Sequence, residues 1–167
     1  NIHRNPLCGR NYEYYSEDPY LTGMLAAAVT RGVQSKPGCG VTIKHFACNN
    51  QEDNRMGVDS RVSERALREI YLRGFEIAVK EGNPIGVHAA NSKDLCVTVA
   101  RKEWGFDGAI MSDWNTTVPE DGSTPWKCAA AGNDIIMPGN PDDDKNILQA
   151  YKEGKLTEEE IRSCAEH

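Results

Sequence analysis

The chain has 167 residues, of which 39% are hydrophobic and 26% charged, a balance that fits one soluble globular domain. Nineteen Lys and Arg against 25 Asp and Glu leave a net charge of −6, which speaks against a nucleic-acid binder and its basic stripe. No apolar run approaches the ~20 residues that cross a bilayer, so neither a nucleic acid nor a membrane is expected as a partner. The chain opens at Asn1 without a Met or a leader-like segment, and so reads as trimmed at its start.

In chain order, residues 21–34 read as a helix stopped by Pro37 and Gly38. Val41-Thr42-Ile43 leads into Lys44-His45-Phe46 as a strand. Ser63 can cap a long helix over 63–81, with Leu67, Ile70, Leu72, Phe75, Ile77 and Val79 as its apolar face. Ser92 starts a further helix through Leu95, Val99 and Trp104, ended by Gly105. The run 108–111 is the next strand. Ser112-Asp113-Trp114 closes it and sets a carboxylate at its carboxyl end, where parallel α/β folds build active sites. A short helix over 127–132 precedes a strand at 134–137, broken by Pro138-Gly139. The tail from 142 to 167 is polar and helical, packing through Ile147, Leu148, Tyr151, Leu156 and Ile161. Asp142-Asp143-Asp144 suits the start of that helix, where the macrodipole favours negative charge.

Strand-then-helix units of this kind predict a parallel sheet with helices outside. No Gly-rich phosphate loop follows the first strand, which weighs against a dinucleotide-binding open sheet. A (β/α)8 barrel normally takes ~250 residues, and this chain supplies only about four strands. The expected architecture is therefore an incomplete α/β barrel of the TIM type. The six cysteines are scattered without a C-x-x-C pair, which fits neither a zinc site nor a disulfide framework. They read as reduced thiols of a cytoplasmic protein, partly small core hydrophobes. Asn115-Thr116-Thr117 is a glycosylation sequon in form, but such triplets are frequent by chance.

Several residues carry candidate chemistry. Asp113 could act as a nucleophile, a metal ligand or a helix N-cap. Lys44 and His45 are neighbours at a strand end, where regular pleating would send them to opposite faces. Both reach one ligand only if the strand ends or is distorted there; in isolation such a pair reads as a solvated strand end. Arg55 has Glu52 and Asp53 as ordinary surface partners. Glu13, Glu17 and Asp18 read as caps of the following helix or as orienters of Arg10. Arg65, Arg68 and Glu69 form a solvated helical face. Trp104 and Phe106 read as core, and His3 and His88, which lack a partner pattern, as structural.

A set of motifs runs through the chain in order. It comprises Asn1-Ile2-His3-Arg4-Asn5-Pro6-Leu7-Cys8-Gly9-Arg10, Glu13-Tyr14-Tyr15-Ser16-Glu17-Asp18-Pro19, Lys44-His45-Phe46 and Asn49-Asn50-Gln51-Glu52-Asp53-Asn54-Arg55. Ser63-Glu64-Arg65-Ala66-Leu67-Arg68-Glu69, Glu103-Trp104-Gly105-Phe106, Ser112-Asp113-Trp114 and 131–139 complete it. Together these closely resemble the catalytic barrel of family 3 glycoside hydrolases, in particular the bacterial β-glucosidase branch.

The resemblance implies a retaining exo-β-glycosidase, foremost a β-glucosidase acting on terminal non-reducing β-D-glucosyl residues. It gives Asp113 the role of nucleophile and Trp114 that of the aromatic bordering the first sugar. Arg10, Lys44, His45 and Arg55 become binders of that sugar's hydroxyls. The acid that protonates the leaving oxygen, placed roughly 5–5.5 Å from the nucleophile in retaining enzymes, is a Glu of a second domain that this chain lacks. No cofactor or metal is implied, since glycosyl transfer to water through a carboxylate needs none. A β-xylosidase or another exo-β-glycosidase of the family remains an alternative, as does a non-catalytic carbohydrate-binding fragment. Ala47-Cys48-Asn49-Asn50 after Lys-His-Phe disfavours the N-acetylglucosaminidase branch, which continues Pro-Gly-His-Gly. Oligomeric state, homo-oligomers included, stays open.

Two departures from the family stand out. The upstream strands, with another sugar-binding Asp, do not precede Asn1. After Glu81-Gly82-Asn83-Pro84 the family's strand reading roughly Met-Thr-Ser-Tyr-Asn is absent, and Pro84-Ile85 runs straight into Gly86-Val87-His88. A barrel that skips a strand does not close. Residues 1–167 are thus expected to be part of one catalytic barrel, with a discontinuity near 84–86, or else a truncated protein without activity.

Overall fold

A computed structural model describes residues 1–89, 91–115 and 124–167. Two compact units divide the chain, Asn1–Ile85 and Gly86–His167.

The first unit opens with an irregular segment and a short 3-10 turn, Asn11–Glu13. Helix α1 (Pro19–Gln34) starts two residues earlier than hydropathy suggests, because Asp18 caps it: the carboxylate accepts the Leu21 N–H at 2.7 Å, and Pro19 sits where its missing N–H costs nothing. Strand β1 (Thr42–Phe46) follows, with Ile43 and Phe46 buried. The Lys44–His45 and Phe46–Ala47 peptide bonds are cis.

Helix α2 spans 64–82. Ser63 caps it as expected, accepting the Ala66 N–H at 3.3 Å. Regular turns at Glu64–Ala66 and Arg73–Ile77 alternate with wider π-type turns at Leu67–Leu72 and Ala78–Gly82. Leu72, Phe75, Ile77 and Val79 are buried, as the apolar periodicity requires, and Tyr71 joins them. Leu67 and Ile70 pack more loosely against Ile2, Cys48 and Tyr71. Helix α1 lies against α2 along small residues. A Cβ on Gly23 would come within 2.7 Å of the Ile77 Cβ, and one on Gly82 within 3.0 Å of the Ala27 Cα. At the far end Arg31 Nη1 donates to the Glu81 carbonyl and Gln34 Nε2 to that of Asn83. Phe75 ties α2 to β1, its ring 5.0 Å from that of Phe46.

The second unit holds strand β2 (Gly86–Ala89), helix α3 (Asp94–Glu103, π-type turns) and strand β3 (Ala109–Met111). Helices α4 (Pro125–Ala130), α5 (Pro141–Lys152) and α6 (Glu158–Ala165) follow. β2 and β3 pair in parallel, with Val87 opposite Ile110 and His88 opposite Met111. β2 fills the place between two helices that the sequence reading left without a strand. Its buried Val87 and the ladder to β3 hold it there, so the strand–helix alternation is kept. Gly105, at φ +69°, ends α3 as expected. Asn140 and Asp143 form a capping box at the start of α5.

Two expectations are corrected. Residues 134–137 make only a single parallel bridge, Ile135 to Met111. Asp134 turns inward instead: Oδ2 accepts from Arg101 Nη2 and from the Ile110 N–H, each at 2.6 Å. Arg101 also donates to the carbonyls of Phe106 and Gly108. The pair is shut away from water, at 14% and 4% side-chain exposure, and burial pushes the Asp134 carboxyl up even beside the guanidinium. Secondly, Leu148 and Tyr151 are exposed. The helical tail packs through Ile147, Ala150, Leu156 and Ile161 around Ala129, a stripe rotated from the one expected.

Cys8, Cys48, Cys96 and Cys128 are buried, consistent with small core hydrophobes, and burial pushes the Cys96 thiol up to about 12. No described helix is long and apolar enough to cross a membrane. Of the sequon, Thr116 and Thr117 lie outside the described residues.

Breaking a buried pair leaves an uncompensated charge, so Arg101→Met should cost about 3–5 kcal/mol in urea unfolding. A loss below about 1 kcal/mol, the worth of a surface pair, would refute the clamp.

Candidate active site

In the first unit the turn at 10–14 gathers three of the expected sugar binders. Glu13 Oε1 accepts from Arg10 Nε at 2.6 Å and Oε2 from Arg10 Nη2 at 3.1 Å, a bidentate fork. Lys44 Nζ stands 2.7 Å from the same Oε2. Glu13 is only 16% exposed and Lys44 44%. The Arg10 hydrogen bond is the chief reason that the Glu13 carboxyl falls from its ordinary 4.5 to about 2, and the same bond raises Arg10. Both ions are therefore fixed as charged groups.

His45 meets the next residue of that turn. Its Nδ1 lies 3.3 Å from the Tyr14 hydroxyl, and the two rings sit edge to face at 6.2 Å. Burial raises the Tyr14 phenol, so at neutral pH it keeps its proton for a hydrogen bond. Lys44 and His45 thus both turn towards the 10–14 segment, although both lie within β1 and not at its end. His3 braces the segment from beneath, Nε2 lying 2.7 and 2.9 Å from the carbonyls of Asn11 and Tyr14.

Arg55 is one carboxylate removed. It pairs with Glu52 at 3.2 Å, as an ordinary surface partner would suggest, while Asn49 Nδ2 donates to the other Glu52 oxygen. Arg55 also lines a polar recess of about 240 Å3 with Asn50, Asp59, Arg61 and Tyr71. A second cavity, about 160 Å3, touches Glu13, Tyr14 and Lys44, but its walls are mainly Val29, Val41, Ile43, Ile70 and Phe75. Asn1, Tyr15, Thr22, Thr30, Thr42 and Tyr71 also line it.

In the second unit Asp113 lies just past β3, one residue beyond Ser112. Buried Ser112 anchors the strand end: its N–H donates to the Ile135 carbonyl and its Oγ accepts from the Met137 N–H, both at 2.9 Å. Asp113 Oδ1 accepts from the Trp114 N–H at 2.6 Å. His88 Nε2 stands 3.4 Å from the same Oδ1, an ion pair whenever the imidazole is protonated. His88 was expected to be merely structural; parallel pairing of β2 with β3 brings it to the carboxylate, which its spacing in sequence could not reveal. Trp114 is 60% exposed, as a ring that borders a ligand rather than a core can be. Among the described residues no cluster of His, Cys, Asp and Glu could hold a metal ion.

The family model for the glycosyl hydrolase family 3 N-terminal domain matches residues 1–167. The chain belongs to that family. A β-glucosidase of Ruminococcus albus is 46% identical over 183 residues, covering 99% of this chain and 19% of the relative. An exo-α-(1→6)-L-arabinopyranosidase of Bifidobacterium breve is 44% identical, covering 99% of this chain and 22% of its own length. The solved structure of β-glucosidase 3B from Thermotoga neapolitana in complex with glucose matches with a TM-score of 0.89 and 52% identity, over 98% of this chain and 25% of that one. The chain thus spans about a fifth of the curated relatives' length.

The lowered Glu13 carboxyl sets a sign. Its contribution to stability is complete above pH 4.5 and is lost as pH falls towards about 2. Glu13→Gln should flatten that part of the curve of urea midpoint against pH; an acid limb unchanged from wild type would contradict it.

Proposed function

We propose that this chain is part of the catalytic barrel of a retaining exo-β-glycosidase that removes terminal β-D-glucosyl residues. The observation that carries the reading is Asp113: a carboxylate on the end of a parallel strand, fixed by a backbone N–H and beside His88, within a chain of family 3. In the proposed reaction Asp113 attacks the anomeric carbon while the glycosidic bond breaks, and an acid from elsewhere in the protein protonates the departing oxygen. Water then cleaves the glycosyl ester and returns the carboxylate.

Arg10, Lys44 and His45 bind hydroxyls of the terminal sugar, and Trp114 borders it. Arg55 plays a lesser part through Glu52. The barrel is completed by strands outside this chain, and a second domain supplies the acid/base Glu. The R. albus match runs over more residues than the 167 here, so that relative carries residues with no counterpart in this chain.

A second substrate is favoured by the arabinopyranosidase relative. A terminal α-L-arabinopyranoside presents an equatorial bond at C1, as a β-glucoside does, and lacks only the exocyclic carbon while inverting C4.

The whole gene product should release p-nitrophenol from p-nitrophenyl β-glucoside, and a comparison with the α-L-arabinopyranoside ranks the two substrates. A 2-fluoro glucoside should label Asp113, and Asp113→Asn should abolish both labelling and turnover. A label on any other carboxylate would reject the assignment.

A further inference from the structure

We infer that Glu13 is a positioning residue for sugar binding: it holds Arg10 and Lys44 in place before the substrate arrives, while its neighbour Tyr14 does the same for His45. The inference rests on the sugar-binding reading of those three residues. Four distances carry it: 2.6 and 3.1 Å from the two Glu13 oxygens to Arg10, 2.7 Å from Lys44 Nζ to Oε2, and 3.3 Å from Tyr14 Oη to His45 Nδ1. The dipeptide Glu13-Tyr14 therefore reads the dipeptide Lys44-His45 in step, anion to cation and phenol to imidazole.

The physical need is clear for Lys44. Its four-carbon stem has many rotamers, which a sugar would otherwise have to quench on binding. Arg10 and Lys44 are also like charges brought to one place, and without an anion they would repel each other. Glu13 removes both costs in advance, which is preorganisation. An exposed ion pair would contribute little, but this carboxylate is mostly buried and serves two cations at once. Three of its lone-pair sites are committed to Arg10 and Lys44, so it is placed to orient these groups and not to act on a substrate.

The test uses steady-state kinetics of the whole gene product on p-nitrophenyl β-glucoside. Glu13→Gln keeps the shape and removes the charge. If Glu13 orients ground-state and transition-state binding alike, KM should rise about 10- to 100-fold with kcat within about threefold of wild type. A general loss of folding would lower the active fraction, and hence apparent kcat, and leave KM alone. Lys44→Met tests the underlying reading: an unchanged KM there would defeat sugar binding by Lys44 itself. A raised KM for Lys44→Met beside a wild-type KM for Glu13→Gln would defeat only the role of Glu13. The loss in the double variant should fall short of the product of the two single losses, because the Lys44 share is common to both, and full additivity would overturn the coupling. Should Glu13→Gln fail to fold, Glu13→Asp shortens the stem by one methylene: a KM raised severalfold at constant kcat supports the inference, and a wild-type KM overturns it.

Discussion

The second unit depends on one buried ion pair. Arg101, near the end of α3, reaches past the loop after it to Asp134, and Asp134 in turn takes the N–H of Ile110 at the centre of β3. One charge pair thus joins a helix end, a strand and the segment after α4. The strand so fixed is the one that ends in Ser112 and Asp113. For the nucleophile role proposed for Asp113, a carboxylate must be placed to within fractions of an ångström, and a strand end clamped by charge and by Ser112 provides that rigidity. Two ions taken out of water give little net stability; their value here is in fixing position.

The first unit solves a different problem with a different device. Its functional groups are long, mobile cations on a half-exposed edge, where packing alone cannot hold them. A single carboxylate with an unusually low proton affinity does so. The phenol beside it orients an imidazole through a hydrogen bond. Rigid strand end in one unit and charge-pinned cations in the other are two answers to the same demand for groups that do not have to be ordered at the moment of binding.

How much of this was legible in the residues divides by distance along the chain. Helix starts set by Asp18 and Ser63 were readable because capping is local, each satisfying an N–H three residues on; Asn140, which caps α5, was not singled out, and that helix was read as starting at Asp142. Asp113 was readable because a carboxylate after an apolar run stands out. The segment at 134–137 looked like a strand, yet a partner 33 residues earlier recruited Asp134 and left one bridge. The tail's stripe was misplaced because Leu148 and Tyr151 are apolar without facing the cluster around Leu156. The Glu13–Lys44 and His88–Asp113 contacts join residues brought near only by folding, and no periodicity or motif spacing encodes them.

The glycine seam of α1 and α2 has a bearing on how such a domain can change. With Gly23 and Gly82 admitting backbone contact, a single added methyl would act as a wedge, and interiors as dense as crystals pass such strain on instead of absorbing it. The lever runs through Phe75 to Phe46, one residue beyond the Lys44–His45 step. For the sugar-binding role proposed for Lys44 and His45, this means that substitutions along the α1–α2 seam, far from any ligand, would shift the strand that carries them.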